Sequence, residues 1–145
     1  MKKRIYLAGP LFSQAEIKWS GWLKGQIEDR LGGRVEVIWP HQIAAGSSQE
    51  IFETNFSALR QCPLMVAVLD GSQVDDGTAW EIGCHYALFG SKMSIGIRTD
   101  FRNSGETAQS EVNAMIENSC WNIAKNVDEL ILELETVLET LGLGD

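Results

Sequence analysis

The chain has 145 residues, of which 20 are Asp or Glu and 12 are Lys or Arg, a formal charge of −8. That length suits one domain over residues 1–145, able to bury roughly two-thirds of its unfolded surface without a disulfide or metal staple. No apolar run nears the roughly 20 residues of a membrane span, and no cluster of Lys and Arg suits a phosphate backbone, so neither membrane nor nucleic acid is an expected partner. The start, MKKRIYLAGP, is basic, but its apolar stretch is too short for a secretory leader. Cys62, Cys84 and Cys120 are odd in number and lack paired spacing, which fits a reduced, cytoplasmic protein.

In chain order, Arg4 to Ala8 reads as a first strand, ended by Gly9-Pro10. Ser13 and Glu16 make a capping-box pattern that opens a helix to about Leu31, where Gly32-Gly33 stops it. Val35 to Trp39 reads as a second strand closed by Pro40. Ser47 and Glu50 repeat the capping pattern ahead of a helix carrying Ile51, Phe52, Phe56 and Leu59. Leu64 to Leu69 is a continuous apolar run, as a central parallel strand covered on both faces requires. A helix over about 77–89 follows, then a fourth strand through Met93 to Ile97, a polar loop from Arg98 to Glu111, and a weak fifth strand near 119–123. The last helix is marked by Val127 followed by apolar residues at offsets of 3, 4, 7, 10, 11 and 14, ending on Leu141, with Asn126 and Glu129 as its cap.

Strand–helix alternation of this kind predicts an α/β fold, a doubly wound five-stranded parallel sheet with helices on both faces. A ligand site then belongs beyond the carboxyl ends of the strands, near a switch in strand order. That selects the loops Gly9–Ser13, Pro40–Gly46, Asp70–Thr78 and Arg98–Asn113. The third holds the densest chemistry: Asp70, Asp75, Asp76 and Glu81 put four carboxylates within 12 residues. Asp75 and Asp76 have a structural explanation at a helix N-terminus, where negative charge offsets the helix dipole. Glu81 lies a turn further in among Ala79, Trp80 and Ile82, so it sits either on the outer face or towards a cleft for a purpose.

YLAGPLFS, LDGSQVDDGTAWEIG, GIRTDFR and VNAMIE, in this order over about residues 4–118, resemble the signatures of the nucleoside 2-deoxyribosyltransferase family. The resemblance implies a flavodoxin-like fold and a deoxyribonucleoside donor exchanging its base for a free nucleobase, with no cofactor. It implies Glu81 as the nucleophile at the anomeric carbon and Tyr6 as the residue that holds its carboxylate. Asp75 and Asn113 would bind the 5′-hydroxyl side of the sugar, Asn113 from a neighbouring subunit of a homo-oligomer. Gly9 belongs to the first motif and is expected beside the substrate. An ordinary glutamate, with a pKa of about 4.3, would be ionised at neutral pH and able to form a covalent glycosyl intermediate.

The chain departs from the family where many members carry an aspartate that contacts the base. Asn55 stands here, and an amide hydrogen-bonds a base edge but donates no acidic proton. Gln42 is either a second base reader or an ordinary polar loop residue, and Phe12 either packs on the base or is a core aromatic. Hydrolysis of deoxynucleosides or of their 5′-monophosphates is the alternative activity. Relatives that act on monophosphates tend to carry serines at the positions of Asp75 and Asn113, and the carboxylate of Asp75 would repel a phosphate. A receiver-like domain with Asp70 as phosphoacceptor would need an acidic pair after the first strand, where Ala8-Gly9-Pro10 stands. Gly9-Pro10 lacks the Gly-rich run of a dinucleotide or P-loop site, and Cys84, His85 and His41 lack zinc spacing, so no metal is expected. Glu81 and His85, four residues apart on one helix, could pair.

Overall fold

Five strands pair in parallel in one sheet, β1 (Lys3–Ala8), β2 (Val35–Ile38), β3 (Leu64–Val68), β4 (Ser94–Ile97) and β5 (Asn122–Ala124), in the order β2-β1-β3-β4-β5. This is the flavodoxin-like order, with its switch point between β1 and β3. The computed structural model describes residues 2–140 and 142. The helices are α1 (Gln14–Arg30), α2 (Pro40–Ile43), α3 (Ser48–Gln61), α4 (Asp76–Phe89), α5 (Ala114–Glu117) and α6 (Val127–Thr140).

Alternation along the strands sorts the core into two layers. Ile5, Leu7, Val66, Val68, Ile95 and Ile97 pack with Leu23 and Ile27 of α1 and Leu130, Leu134 and Leu138 of α6. Tyr6, Ala8, Met65, Ala67 and Leu69 face the other way, with Leu59 of α3 and Ile82 of α4. Period two therefore puts Tyr6 on the α3–α4 side. Both capping boxes form: Ser13 and Ser47 accept the amide N–H of Glu16 and Glu50 and return their own N–H to those carboxylates. Asn126 and Glu129 close the start of α6 in a similar way, at 2.9 Å from the Glu129 N–H to Asn126 Oδ1.

The structure shifts several boundaries. The fourth strand begins at Ser94, because Ser91–Met93 winds into a 3-10 turn. The fifth is Asn122–Ala124 rather than 119–123, since Ser119 to Trp121 form a turn out of α5. Neither α2 nor α5 has the length that makes helical periodicity readable; Pro40 starts the first and Asn113 caps the second, its side chain accepting the Met115 N–H at 2.9 Å. Leu141, the expected end of the last helix, lies outside the described residues.

Two loops at the carboxyl ends of β3 and β4 are tied reciprocally. Asp70 Oδ1 accepts the N–H groups of Thr99 (2.6 Å) and Asp100 (2.8 Å), and Oδ2 accepts the Thr99 hydroxyl (2.7 Å). With both oxygens so committed, Asp70 is a loop anchor and not a free phosphoacceptor. In return Arg98, only 1% exposed, donates to the carbonyls of Leu69, Gly71 (3.1 Å) and Arg102 (2.7 Å). The loop it holds leads into α4, so the clamp sets where that helix begins. Replacing Arg98 by Met would strand three carbonyls and should lower stability by about 2–4 kcal/mol. Urea denaturation, read as a drop in midpoint with an unchanged slope, checks that loss.

Candidate active site

The Tyr6 hydroxyl donates to Glu81 Oε1 at 2.6 Å. Sheet register aims Tyr6 at α4, and the start of α4 decides which of its residues meets it. Asp75 is the N-cap, its Oδ2 accepting both the N–H and the hydroxyl of Thr78 at 2.9 Å. Six residues on, just under two turns, Glu81 faces back to the sheet. A side chain at Gly77 would sit 3.3 Å from Asp75 Oδ2, so that glycine keeps the space beside the cap open.

Burial dominates the electrostatics of the pair. Desolvation pushes the Glu81 carboxyl up to about 7, the Tyr6 hydrogen bond opposes the rise, and the Asp75 charge adds to it. Glu81 is therefore poised between its two forms near neutrality, which corrects the expectation of an ordinary, fully ionised glutamate. The Tyr6 phenol is driven above its usual range, first by burial and then by the Glu81 charge, so it remains a donor.

Beside the pair, a cavity of about 300 Å³ opens between α3 and α4, walled by Phe52, Asn55, Phe56, Leu59, Gly77, Trp80 and Glu81. Phe52 and Phe56 stack at 5.7 Å between ring centroids, and Trp80 meets both edge-on, at 5.7 and 6.1 Å. Phe52 and Trp80 stay about half exposed, at 53% and 51%. Asn55 Oδ1 is buried and has no hydrogen-bond partner among the described residues. Glu81 thus stands in a largely apolar cleft with one unpartnered amide. Asn55, expected at the base, shares this cavity with Glu81.

The remaining expected residues stand elsewhere. Gly9 lies where a Cβ would come 3.0 Å from Val68 Cβ, so close packing of the β1 exit against β3 by itself favours a glycine. Phe12 is 82% exposed, which rules out the core reading, and it is not on the cavity wall. Gln42 is exposed on α2 and is also off the wall. Asn113 is exposed at the start of α5, where its amide donates to Glu106 Oε1 at 2.6 Å. His85 does not pair with Glu81. It is fully buried, with Nδ1 2.8 Å from Ser94 Oγ and Nε2 3.0 Å from the Cys62 carbonyl, and burial pulls its pKa down. Phe52 and Trp80 were not expected at the site. An apolar i, i+4 pair on α3 was the available signal, but it reads equally well as core.

Residues 5–115 match the family model described as nucleoside 2-deoxyribosyltransferase. The chain belongs to the nucleoside 2-deoxyribosyltransferase family. A conserved protein from Enterococcus faecalis V583 is similar over 94% of this chain and 99% of its own, with 27% identity and a TM-score of 0.77. A 2-deoxyribosyltransferase from Leishmania mexicana is 22% identical, with a TM-score of 0.74 over 92% of this chain and 97% of its own. Another, from Bacillus psychrosaccharolyticus, is 21% identical, with a TM-score of 0.69 over 88% and 90%. At those identities the last two establish the shared fold. None of the curated proteins matches the sequence. Among the described residues no helix is long and apolar enough to cross a membrane, and no group of His, Cys, Asp or Glu is arranged to hold a metal ion.

The sign of the Tyr6 contribution is testable. Its hydrogen bond favours the ionised form of Glu81, so Tyr6→Phe should raise the carboxyl pKa further above about 7. A carboxyl-labelled NMR titration of the parent and the variant checks it; an unchanged or lowered midpoint is inconsistent with this geometry. Because folding raises this pKa, Glu81 favours the folded state most at acid pH. That contribution fades between the unfolded value near 4.3 and about 7.

Proposed function

We propose that the protein transfers 2-deoxyribose between nucleobases, with Glu81 as the covalent nucleophile. The observation that carries this reading is the Tyr6–Glu81 hydrogen bond, with Glu81 in the wall of an aromatic cavity. The cavity takes the flat base of the donor, and the ionised Glu81 oxygen attacks C1′. The C1′–N bond breaks with its electron pair leaving on the base, which takes a proton from solvent. As the glycosidic bond weakens, positive charge spreads over C1′ and the ring oxygen, and the carboxylate offsets it before closing the ester. The incoming base then attacks C1′ from the vacated side and loses its N–H proton to solvent, the ester electrons return to Glu81, and configuration is retained. Tyr6 holds the carboxylate in line throughout and stays protonated.

Asp75 fits the sugar's 5′-hydroxyl. Its Oδ2 is taken by Thr78, and Oδ1 has no partner among the described residues. A monophosphate would bring like charge against that carboxylate, which favours nucleosides over nucleotides. Hydrolysis is the side reaction that follows when water reaches the ester before a base does.

Deoxyadenosine incubated with cytosine should yield deoxycytidine, and without cytosine at most slow release of adenine. Release of adenine without deoxycytidine would make the protein a hydrolase. Glu81→Ala should lower transfer roughly 10⁴-fold or more, as loss of a covalent nucleophile does elsewhere, with the fold intact by circular dichroism. In the parent, kcat/KM should rise with pH and level off above about 7, following the ionised form of Glu81.

The homo-oligomer is part of this proposal, with Asn113 completing a neighbour's site. Mixing inactive Glu81→Ala and Asn113→Ala chains tests it. Exchange gives hybrids in which one site regains both residues, so activity should recover towards about a quarter of the parent's for a symmetric dimer. No recovery after confirmed exchange would place Asn113 in its own chain's site or outside any.

A further inference from the structure

The cavity beside Glu81 has many surfaces that would accept any flat ring and few that could tell one ring from another. Phe52, Phe56 and Trp80 offer stacking, which every base satisfies through its π face. Discrimination must come from a polar group, and the wall presents two polar side chains, Asn55 and Glu81. Glu81 is engaged by Tyr6 and faces the sugar carbon in the proposed reaction. Asn55 lines the cavity and its Oδ1 has no partner among the described residues, so nothing holds the amide back from turning both its halves towards a bound ring. A buried acceptor in that state calls for a donor from whatever fills the cavity.

An amide carries one acceptor and one donor side by side, and whichever way it turns it shows one of each. Adenine has the complementary pair on one edge, with N7 as acceptor and the 6-amino group as donor, and asparagine reads that edge with two hydrogen bonds. Hypoxanthine and guanine show two acceptors there, N7 and O6, so one half of the amide must face a lone pair. The edge is also the one within reach. N7 shares the five-membered ring with N9, and N9 is bonded to the carbon that Glu81 attacks from the same wall.

We infer that Asn55 makes the site selective for 6-aminopurines over 6-oxopurines. This rests on the reading of the cavity as the base site. It goes beyond it by naming which bases are favoured and which atoms decide. An amide does not titrate, so the preference is independent of pH in the parent. An ionised carboxylate at this position would show two acceptors, meeting the amino group but opposing N7.

The test compares deoxyadenosine with deoxyinosine as donors, and free adenine with hypoxanthine as ligands followed by tryptophan fluorescence quenching. Loss of the quench in Trp80→Phe would confirm that the signal comes from this cavity. The parent should prefer the adenine compounds about 10- to 100-fold in both kcat/KM and affinity, the range expected for one mismatched polar contact. Asn55→Ala should lose that factor with the adenine compounds alone, bringing the ratio near one. Asn55→Asp should make the ratio vary with pH. Equal use and equal binding of the two bases by the parent, or a preference that survives Asn55→Ala, would overturn the inference while leaving transferase activity in place. Preferential adenine binding without turnover of any nucleoside would uphold it and remove the transferase reading instead.

Discussion

The hydrogen bond between Tyr6 and Glu81 joins the second layer of the core to the chemistry above it. It requires β1 to keep its register, so that Tyr6 and not Leu7 faces α4. It equally requires α4 to begin at Asp76, because a helix started one residue later would turn its glutamate by about 100° away from the sheet. The Asp75 cap, Gly77 and the loop gripped by Arg98 all serve that single alignment. A one-residue slip in either element would remove the bond and leave a half-buried carboxylate with no donor.

Burial gives Glu81 its position at a cost in charge state. As the proposed nucleophile Glu81 would act as an anion, yet the apolar walls beside it disfavour the anion. Tyr6 opposes the penalty without supplying a charge of its own, and the nearby Asp75 adds to it. The outcome is a carboxyl near the midpoint of its titration at neutral pH. A substrate that develops positive charge as its bond breaks would shift that balance towards the ionised form at the moment it is needed.

Much of this architecture was legible in the residues. Apolar runs marked β1 to β4, the serine–glutamate pairs marked the starts of α1 and α3, and the period of α6 was plain. Tyr6 and Glu81 were reachable through the motifs by which the chain resembles the deoxyribosyltransferases, and Glu81 also through the dense run of carboxylates around it. The short elements were not, since four residues of α5 and three of β5 hold less than one full period of any reliable pattern. The aromatic cleft was hidden for another reason. Phe52 and Phe56 have core-like spacing, and only tertiary packing shows that the space beside them stays open. The charge state of Glu81 was out of reach too, because desolvation depends on neighbours distant in the chain. Phe12 stands on a loop and Gln42 on the short α2, segments whose ends the fold fixes but whose side chains it leaves to solvent.

The outermost strands have a bearing on how copies of the molecule meet. β2 has four residues and β5 three, the first hemmed by Gly33 and Pro40 and the second by the α5 turn and the start of α6. Each offers only a brief row of unpaired backbone groups, too short to template another strand. Sheet-to-sheet extension between molecules is thereby discouraged on both flanks. Self-association is left to helices and loops, whose contacts can be specific and can end with a closed assembly, where an exposed ladder would propagate.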